Sequence, residues 1–485
     1  MQLFNSLTRK KETFTPRVDG QVTMYVCGIT TYDLSHIGHG RSAAVFDVLV
    51  RYLRHTGLNV TFIRNFTDVD DKIIKRAAEE HSTSEAVAEK NIRFFYEDMD
   101  ALGMLRPDIE PRCTEHIPEM IRLTERLIEK GHAYPTPSGD VYFRVRSFAP
   151  YGKLSGRDVD DLKAGARIAP GEEKEDPLDF ALWKAAKPGE PMWDSPWGKG
   201  RPGWHLECSA MSEKYVPLPL DIHGGGQDLV FPHHENEIAQ SEAAFDTPLS
   251  RFWVHNGFVQ INQEKMSKSL GNFFTIREVL KQFLPETLRF LLLSVHYRSP
   301  LDFSFDALEE AEKAQKRIYS ALAQVAAELA RAKWTKAPLP ETFGAERKDL
   351  ETKWNEALAD DLNTAAALGH VFGLVRLAGR ILDDKTLRKT EGARELLTSI
   401  TDDIATFGSV LGLFTQEPAA FLSSLRDMRA ARKQIDLTRV QTLLATRAAA
   451  RGAKDFATSD TVRDELAGLG VEVKDTPQGQ TWDVA

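Results

Sequence analysis

Near the N-terminus, a strand-like run, a short turn and a helix-like run follow one another. Residues 22–27 alternate apolar with small or polar side chains, which predicts a buried strand. Farther on, Val45, Leu49 and Leu53 recur at helical spacing, and Gly57 is placed to end that helix. A strand, a short turn and a helix in this order favour an α/β fold with an anion on the turn, since the helix start attracts negative charge.

The turn itself carries His36, Gly38 and His39. Gly38 lets a nucleotide approach the backbone, whose N–H groups suit a phosphate. The two histidines lie about one helical turn apart, so both can donate to that phosphate. Histidines near a helix start are more often ordinary surface residues, so the motif alone leaves nucleotide binding open.

The composition is that of an ordinary globular protein, with 42% hydrophobic and 27% charged residues in a chain of 485. A chain of this length is too long for one core, so several domains are expected. The apolar runs fall short of a membrane span and the N-terminus lacks the apolar segment of a signal peptide, so we expect a cytoplasmic protein without a membrane. Three widely spaced cysteines, Cys27, Cys113 and Cys208, fit a reducing compartment. The net charge of −9 argues against nonspecific nucleic-acid binding, although a local basic face can still hold a partner.

The character of the chain changes several times along its length. A second strand-like run ends near Thr67, at the edge where open α/β sheets place ligands. From about Pro135 to Gly203, short strands alternate with glycine, proline and charge, which indicates an insertion between two halves of the sheet. The region after Asp306 is helical, and the tail turns basic before it closes with a small α/β segment.

Four scattered side chains form a candidate metal site. His233 and Glu237 are four residues apart at a helix start and therefore lie on one face. With Cys27 and Cys208 they would supply two thiolates, one imidazole and one carboxylate, a zinc-type set. Two other interpretations stay open: both cysteines are buried apolar side chains, or one is a nucleophile paired with a histidine. A nucleophile does not explain two cysteines beside a phosphate-binding turn.

The segment from Lys265 to Lys268 (Lys-Met-Ser-Lys) is a loop by composition. It is either a charged surface loop or a clamp on polyphosphate, since lysine serves as a point charge for phosphate. A reaction that releases pyrophosphate needs such cations, because negative charge builds on the leaving group.

Together, Ser-His-Ile-Gly-His at 35–39 and Lys-Met-Ser-Lys-Ser at 265–269 resemble the signature pair of class I aminoacyl-tRNA synthetases. Further stretches make the chain similar to the cysteinyl-tRNA synthetases within that class. They are Met-Tyr-Val-Cys-Gly-Ile-Thr at 24–30, Asn-Phe-Thr-Asp-Val-Asp-Asp-Lys-Ile at 65–73, Gly-Trp-His-Leu-Glu-Cys-Ser-Ala-Met at 203–211, Phe-Pro-His-His-Glu-Asn-Glu at 231–237 and Pro-Gln-Gly-Gln-Thr-Trp at 477–482. The resemblance spans essentially the whole chain.

The resemblance implies a role for each matching residue. It implies that one Zn²⁺ per chain is bound by Cys27, Cys208, His233 and Glu237. It places the cysteine substrate against Cys27, Gly28, Thr67 and Trp204, and ATP with Mg²⁺ against His36, Gly38, His39, Asp228 and Lys268. Catalysis would rest on His36, His39, Lys265 and Lys268, and tRNA contacts are expected from Arg426, Arg429, Arg432 and Trp482.

The resemblance also implies an organisation and an activity. The expected fold class is α/β, with a Rossmann-type parallel-sheet catalytic domain, an inserted connective domain, a helical bundle and a small C-terminal α/β anticodon-binding domain. The expected limits are 1–110 with 203–262 for the catalytic domain, 111–202 for the insertion, 263–305 for the lysine loop and stem-contact region, 306–420 for the bundle and 421–485 for the C-terminal domain. The expected reaction joins L-cysteine, activated with ATP, to the 3′-terminal ribose of tRNA(Cys), in a monomeric protein.

Selection of cysteine over serine explains why such an enzyme would need the metal. The two amino acids differ by one atom, a difference too small for the shape of a pocket alone to discriminate. A thiol that loses its proton is a good ligand for a soft metal, whereas a hydroxyl is a poor one. Two alternatives remain: a related ligase that joins cysteine to a glucosaminyl-inositol in mycothiol synthesis, and an inactive tRNA-binding scaffold. The basic tail disfavours the first, and the intact signature residues disfavour the second.

Overall fold

The computed structural model describes residues 1–160, 173–261, 264–265, 273–331, 333–476 and 479–484. Lys268 and the rest of 266–272 therefore lie outside the described residues, and of Lys265 the backbone alone is described. Within these ranges the strands are Gln2–Asn5 (β1), Lys10–Thr13 (β2), Gln21–Thr30 (β3), Asn59–Thr67 (β4), Ala133–Pro135 (β5), Val141–Phe143 (β6), Phe180–Ala185 (β7), Gly200–Pro202 (β8), Leu220–Gly226 (β9), Ser250–Asn256 (β10), Val259–Ile261 (β11), Glu264–Lys265 (β12), Leu301–Asp302 (β13), Val471–Thr476 (β14) and Gly479–Val484 (β15).

The described α-helices cover the chain between and after these strands. They are Ile37–His55 (α1), Asp71–Glu79 (α2), Ser84–Ala101 (α3), Ile117–Glu129 (α4), Leu206–Tyr215 (α5), Glu235–Phe245 (α6), Ile276–Leu280 (α7), Pro285–Leu293 (α8), Phe305–Leu329 (α9), Glu341–Ala359 (α10), Thr364–Asp383 (α11), Glu391–Leu411 (α12), Pro418–Arg432 (α13), Leu437–Gly452 (α14) and Phe456–Gly468 (α15).

A four-stranded parallel sheet, in the order β10-β9-β3-β4, lies at the centre of the N-terminal part. All four strands point the same way, so their carboxyl ends share one edge, where an open α/β sheet places its ligands. Helices α1 and α2 each begin at that edge, directly after β3 and β4. The expected α/β class is confirmed.

The two faces of the sheet are buried in different cores because side chains alternate along each strand. On β3, Met24 and Val26 pack with α1 and with the helices after α7, whereas Tyr25 faces the opposite core. That opposite core also contains Trp183 of the antiparallel sheet β5-β6-β7-β8. The predicted insertion thus folds as a small sheet that packs on one side of the parallel sheet.

The C-terminal segment has a core of its own. Val440, Leu444, Val462, Leu466 and Val471 pack together from α14, α15 and β14. Phe421 and Leu425 of the preceding helix α13 pack instead in the main core. The last 50 residues or so therefore form a separate small unit, and α13 belongs to the body of the protein.

One described helix, α11, is long and apolar enough to cross a membrane when judged by length and composition alone. Core helices of globular proteins pass the same test. Val371, Leu374, Leu377 and Ile381 of α11 are fully buried against neighbouring helices. Its apolar character is explained by this packing.

Candidate active site

The four predicted metal ligands come together at the carboxyl edge of the parallel sheet. Cys27 lies near the end of β3, and Cys208 lies in the first half of α5. His233 lies two residues before the start of α6, and Glu237 lies in its first turn, so the two share one face across the helix start. Three separate segments therefore deliver the four side chains to one point.

The distances between these ligand atoms suit a single ion. Cys27 Sγ lies 3.4 Å from Cys208 Sγ and 3.3 Å from Glu237 Oε1. His233 Nε2 lies 2.7 Å from Glu237 Oε1 and 3.9 Å from Cys208 Sγ. Ligand atoms around one tetrahedral zinc ion are about 3.3–3.8 Å apart, given metal–ligand bonds of about 2.0–2.3 Å. The two distances from Cys27 lie in this range, whereas the 2.7 Å contact between His233 and Glu237 is shorter and is a hydrogen bond. The four groups are thus gathered as the sequence predicted.

Two histidines that the sequence reasoning did not assign lie against the same cluster. His223 Nε2 is 2.7 Å from Glu237 Oε2, and His234 Nε2 is 3.2 Å from Cys27 Sγ. With Cys27 and Glu237 they form a second, overlapping group whose ligand atoms lie close enough to hold a metal. Both are fully buried. The adjacent pair of histidines at 233–234 was a visible signal, but spacing alone could not show that His234 also turns inward.

Further hydrogen bonds fix the orientation of the histidine rings. His233 Nδ1 lies 2.9 Å from His205 Nδ1. His234 Nδ1 lies 2.8 Å from His255 Nε2, and His255 Nδ1 lies 2.7 Å from Ser6 Oγ. A ring nitrogen held in this way leaves the other nitrogen directed at the cluster, which is how metal-binding histidines are normally oriented.

The electrostatics of the cluster favour the deprotonated, metal-binding forms of its carboxylate and of one of its two thiols. Burial alone would lower the pKa of His233, but the Glu237 carboxylate and Cys208 together outweigh it and raise that pKa to about 10. In return, the neighbouring histidines overcome burial and hold the pKa of Glu237 well below its usual range. Burial raises the pKa of Cys27. At Cys208 the hydrogen bond from Cys27 and the neighbouring His233 together outweigh burial and lower the pKa. Two sulfurs, a nitrogen and an anionic oxygen form a donor set that fits a borderline-soft divalent ion.

Beside the cluster, Thr67 is fixed by a buried carboxyl group that the sequence reasoning missed. Thr67 Oγ1 donates to Glu207 Oε2 over 2.5 Å, and Asn65 Nδ2 lies 3.5 Å from the same oxygen. Asn65 Oδ1 accepts a 2.9 Å bond from the backbone N–H of Gly28. Burial raises the pKa of Glu207 well above its usual range. Thr67 and Gly28 are thus linked through Asn65 and Glu207 into one hydrogen-bonded wall.

Trp204 covers the cluster from the solvent side. Its ring stacks on His233, with centroids 4.1 Å apart and planes 21° from parallel. The indole is 36% exposed, a large value for a tryptophan in an otherwise buried setting. It therefore stands between solvent and the cluster, where a small substrate would enter.

A cavity of about 330 Å³ opens next to the cluster and extends along the start of α1. His36 caps α1 by accepting from the backbone N–H of Gly38, and its ring stacks on His39 with centroids 3.7 Å apart. Asp228 also lines the cavity and is exposed. The cavity is lined by Cys27, Gly28, His36, Gly38, His39, Trp204 and Asp228 together with apolar residues of α1, β3, β4 and β11.

The four side chains predicted to contact tRNA lie on α13 and on the strand of the C-terminal unit that packs beside it. Arg426 lies over the ring of Trp482, at 4.3 Å from its centroid, and Arg429 pairs with Asp483 at 3.7 Å. Arg432 pairs with Glu312 of α9 at 2.7 Å. These arginines hold structure together, and a contact with RNA stays a prediction for them.

An aromatic side chain that the sequence reasoning passed over is more exposed than any of these. Phe456, at the first position of α15, is 61% exposed. Single apolar side chains on a surface are common, so exposure alone assigns no partner to this ring. A free phenyl ring directly after Lys454 and Asp455 was visible in the sequence, but its exposure was not.

Comparisons with known proteins agree over the whole chain. Residues 13–313 match the family model described as tRNA synthetases class I (C) catalytic domain. Residues 353–415 match the DALR domain, and residues 438–482 match the cysteinyl-tRNA ligase anticodon binding domain. A protein of Oleidesulfovibrio alaskensis named Cysteine--tRNA ligase is 68% identical over 485 residues, and one of the same name from Lawsonia intracellularis is 56% identical over 484. In both comparisons, all of this chain and all of the relative are covered.

Solved structures resemble the chain in fold. A methionyl-tRNA synthetase of Mycobacterium tuberculosis in complex with methionyl-adenylate superposes with a TM-score of 0.62 at 15% identity, covering 81% of this chain and 92% of that one. A putative arginyl-tRNA synthetase of Campylobacter jejuni gives 0.54 at 15% identity, covering 82% and 94%. At such low identity these likenesses show the class I synthetase fold alone. Family model, full-length relatives and fold agree, and the chain belongs to the cysteine–tRNA ligase family of class I aminoacyl-tRNA synthetases.

Proposed function

We propose that this protein activates L-cysteine with ATP, giving cysteinyl-adenylate and pyrophosphate, and then transfers the cysteinyl group to the 3′-terminal ribose of tRNA(Cys). The observation that carries the proposal is the cluster of Cys27, Cys208, His233 and Glu237. It lies beside the cavity that His36 and His39 line. A sulfur-selecting site beside a phosphate-binding helix start is what a ligase for cysteine requires.

The metal in this proposal is one Zn²⁺ ion held by Cys27, Cys208, His233 and Glu237. The donor set supports it, since two thiolates, an imidazole and a carboxylate match the ligands that zinc prefers in proteins. When bound, the ion would supply a soft Lewis-acid centre that prefers a sulfur ligand to an oxygen ligand. Glu237 holds both of its oxygens against histidines, 2.7 Å from His233 and from His223, so its carboxylate cannot swing away.

The chain's own residues would orient the amino acid around that centre. Trp204 closes the entrance and excludes water from the pocket. Thr67 donates its proton to Glu207, so the lone pairs of its oxygen are free to accept from the substrate's ammonium group. The wall formed by Asn65 and Gly28 fixes the side of the pocket next to Cys27. Positioning of this kind accounts for a large part of catalysis by enzymes that join two bound groups.

Activation itself needs no general base, because the attacking group is a carboxylate that is already ionised at neutral pH. His36, Gly38 and His39 would bind the phosphates at the start of α1, and Asp228 would bind the ribose or the base on the opposite side. Lys265 and Lys268 would bind the β- and γ-phosphates, and Mg²⁺ carried by ATP would neutralise part of their charge. Stabilisation of the charge that builds on the leaving pyrophosphate is then the main catalytic effect.

The C-terminal unit would read the anticodon. Unstacked anticodon bases are recognised through stacking on aromatic rings and through contacts with arginine. Phe456 offers an open ring for that purpose, and Trp482 with Arg426 forms a second aromatic and cationic pair at the junction with α13. Arg429 and Arg432 support this junction through their ion pairs with Asp483 and Glu312.

The broader assignments follow from the family. Synthetases supply translation, so a cytoplasmic protein that acts without a membrane is proposed, and a monomer is the proposed state. The proposed functional regions are the catalytic domain at 1–110 and 203–262, the insertion at 111–202, the stem-contact region at 263–305 and the bundle at 306–420. For the C-terminal domain, first expected to start at 421, we place the start near 436, where the separate core begins.

The mycothiol ligase alternative is not favoured. Residues 438–482 match an anticodon binding domain, and a ligase that acts on a sugar needs no such domain. An aminoacylation assay separates the two: the purified protein should charge a tRNA pool with radiolabelled cysteine and leave radiolabelled serine free. Transfer of cysteine to a glucosaminyl-inositol without charging of tRNA would refute the proposal.

A further inference from the structure

Lys72 is a cation at the edge of the cavity that neither signature motif includes. It lies at the second position of α2, directly after the carboxyl end of β4, and lines the same cavity as His36 and His39. Its ammonium lies over the ring of Tyr32, 5.4 Å from the centroid. Since β3 and β4 are neighbours, the starts of α1 and α2 stand side by side along one edge of the sheet.

The backbone of Lys72 is fixed although its side chain is exposed. Asp70 caps the helix by accepting a 2.9 Å hydrogen bond from the backbone N–H of Lys72. Next to it, Asp71 accepts a 2.6 Å bond from Lys184 of β7 and pairs with Arg201 of β8. The inserted sheet therefore holds the first turn of α2 in place.

The charge of Lys72 is free for a ligand. Among the described residues, two cationic side chains line the cavity, Lys72 and Arg64. Arg64 is already engaged, because it bonds Glu110 at 2.9 Å and lies over the ring of Phe95. Lys72 makes no ion pair with any described residue, although Asp70 and Asp71 are its neighbours in sequence. A lysine whose backbone is fixed and whose exposed ammonium forms no ion pair is suited to bind an anion during one part of a reaction cycle.

We infer that Lys72 is a third lysine for the phosphate chain of ATP, and that it stabilises the departing pyrophosphate. In the step concerned, a carboxylate oxygen of cysteine forms a bond to the α-phosphorus while the bond from that phosphorus to the bridging oxygen breaks. The electron pair of the broken bond leaves on pyrophosphate, where negative charge increases. An ammonium close to that group favours the transition state over the ground state.

The same geometry makes Asp71 a positioning residue. Its bonds to Lys184 and Arg201 are the described contacts that tie the start of α2 to the insertion. Without them, the first turn of α2 would lose its ion pairs with the insertion while its packing on α3 remained, and the ammonium would meet the phosphates less often. This inference rests on the proposed function, since it assigns a residue to the activation step of that reaction.

The test is cysteine-dependent ATP–pyrophosphate exchange by the full-length, metal-loaded protein and its variants. Lys72→Met should lower kcat about 100- to 1,000-fold, the range expected for loss of one donor to a developing anion, with little change in the KM for cysteine. Lys72→Arg should keep most of the activity. Lys75→Met is the matched control, because Lys75 lies one turn later on α2, is exposed and does not line the cavity. Asp71→Asn should give a smaller loss, with no further loss when combined with Lys72→Met.

A second arm separates pyrophosphate from RNA as the anion. Cysteinyl-adenylate is allowed to form to completion with pyrophosphatase present, and tRNA is then added in a single turnover. Transfer should proceed at the wild-type rate in Lys72→Met, because pyrophosphate has already left. Normal exchange with slow transfer would overturn the inference and assign Lys72 to the RNA. Absence of exchange in the wild-type protein would refute the proposed function instead, whereas equal exchange in wild type and Lys72→Met would refute this inference alone.

Discussion

Trp204 lies flat on His233, with ring centroids 4.1 Å apart, and so joins the entrance of the pocket to a metal-ligand candidate. The contact ties the position of the ring at the entrance to the orientation of the imidazole beneath it. A partly exposed side chain that lines the cavity is thus in direct contact with the buried His233.

Removal of this ring should weaken amino-acid binding selectively. For Trp204→Ala we expect the KM for cysteine to rise about tenfold, a loss of roughly 1.4 kcal/mol, because the pocket loses its apolar cover. The KM for ATP should change by less than about threefold, since the proposed nucleotide site lies along α1. ATP–pyrophosphate exchange measures both constants. Trp193→Ala, in the insertion away from the cluster, is the control, and equal changes for both substrates would argue against a role in the amino-acid pocket.

Loss of one proposed metal ligand should weaken the binding of cysteine more than the binding of ATP. Cys208→Ser replaces a soft sulfur with oxygen, so metal content measured by mass spectrometry should fall below one ion per chain. The KM for cysteine should rise at least about tenfold, and discrimination against serine should fall. Cys113→Ala is the matched control, because Cys113 is fully buried in the core and lies outside the ligand group. A variant that keeps full metal and full selectivity would contradict the ligand assignment.

Deletion of the separate C-terminal unit should spare the activation of cysteine and impair the charging of tRNA. A chain that ends at residue 435 keeps α13 and the main core intact, so cysteine-dependent exchange should stay within about threefold of wild type. Charging of tRNA should fall by more than about 100-fold if the unit reads the anticodon, since several base contacts are lost together. Full charging by the shortened chain would show that RNA is read elsewhere.

Phe456 should matter for RNA alone. Phe456→Ala removes an exposed ring that supports no core, so thermal stability should not change. The KM for tRNA should rise about 5- to 100-fold, the equivalent of about 1–3 kcal/mol for one lost stacking contact. Phe456→Tyr keeps the ring and is the conservative control. An unchanged KM for tRNA in Phe456→Ala would remove this residue from the interface.

Asp98 of α3 should make stability depend on pH. Burial raises the pKa of Asp98 to about 6, although Arg277 at 2.9 Å opposes the shift. A carboxyl group whose pKa is higher in the folded protein stabilises it below the unfolded pKa near 3.8, and this stabilisation is lost as the pH rises through 6. Asp98→Asn resembles the protonated form, so its stability relative to wild type should increase by about 1–3 kcal/mol between pH 4.5 and 7.

Thermal unfolding across that range measures the difference. Glu97→Gln is the control, since Glu97 pairs with the same arginine but is about half exposed. A difference between Asp98→Asn and wild type that stays constant over the whole range would show that Asp98 is ionised throughout.

Much of the site could be predicted from the sequence because the two signature motifs and the ligand residues lie in short, recognisable stretches. Cys27 and Cys208, 181 residues apart, meet at 3.4 Å, as the resemblance implied. Local pattern also predicted the strand that carries Cys27 and the capped start of α1, since both depend on neighbouring residues.

The contacts that could not be predicted from the sequence depend on how segments far apart in the chain pack together. Glu207 reads as one more charged residue of a helix, and its hydrogen bond with Thr67 depends on how α5 docks against β4. His223 and His255 become part of the cluster surroundings because β9 and β10 are adjacent in the sheet. Arg432 read as an RNA contact, but the position of α9 places Glu312 beside it.

The separate core of the C-terminal unit has an evolutionary consequence. Because Val440 and Leu466 pack within that unit and α13 packs with the rest, substitutions that retune reading of the RNA leave the folding of the chemical centre undisturbed. A lineage can therefore exchange or remodel this module as its tRNA changes, while the cluster of Cys27, Cys208, His233 and Glu237 is inherited intact.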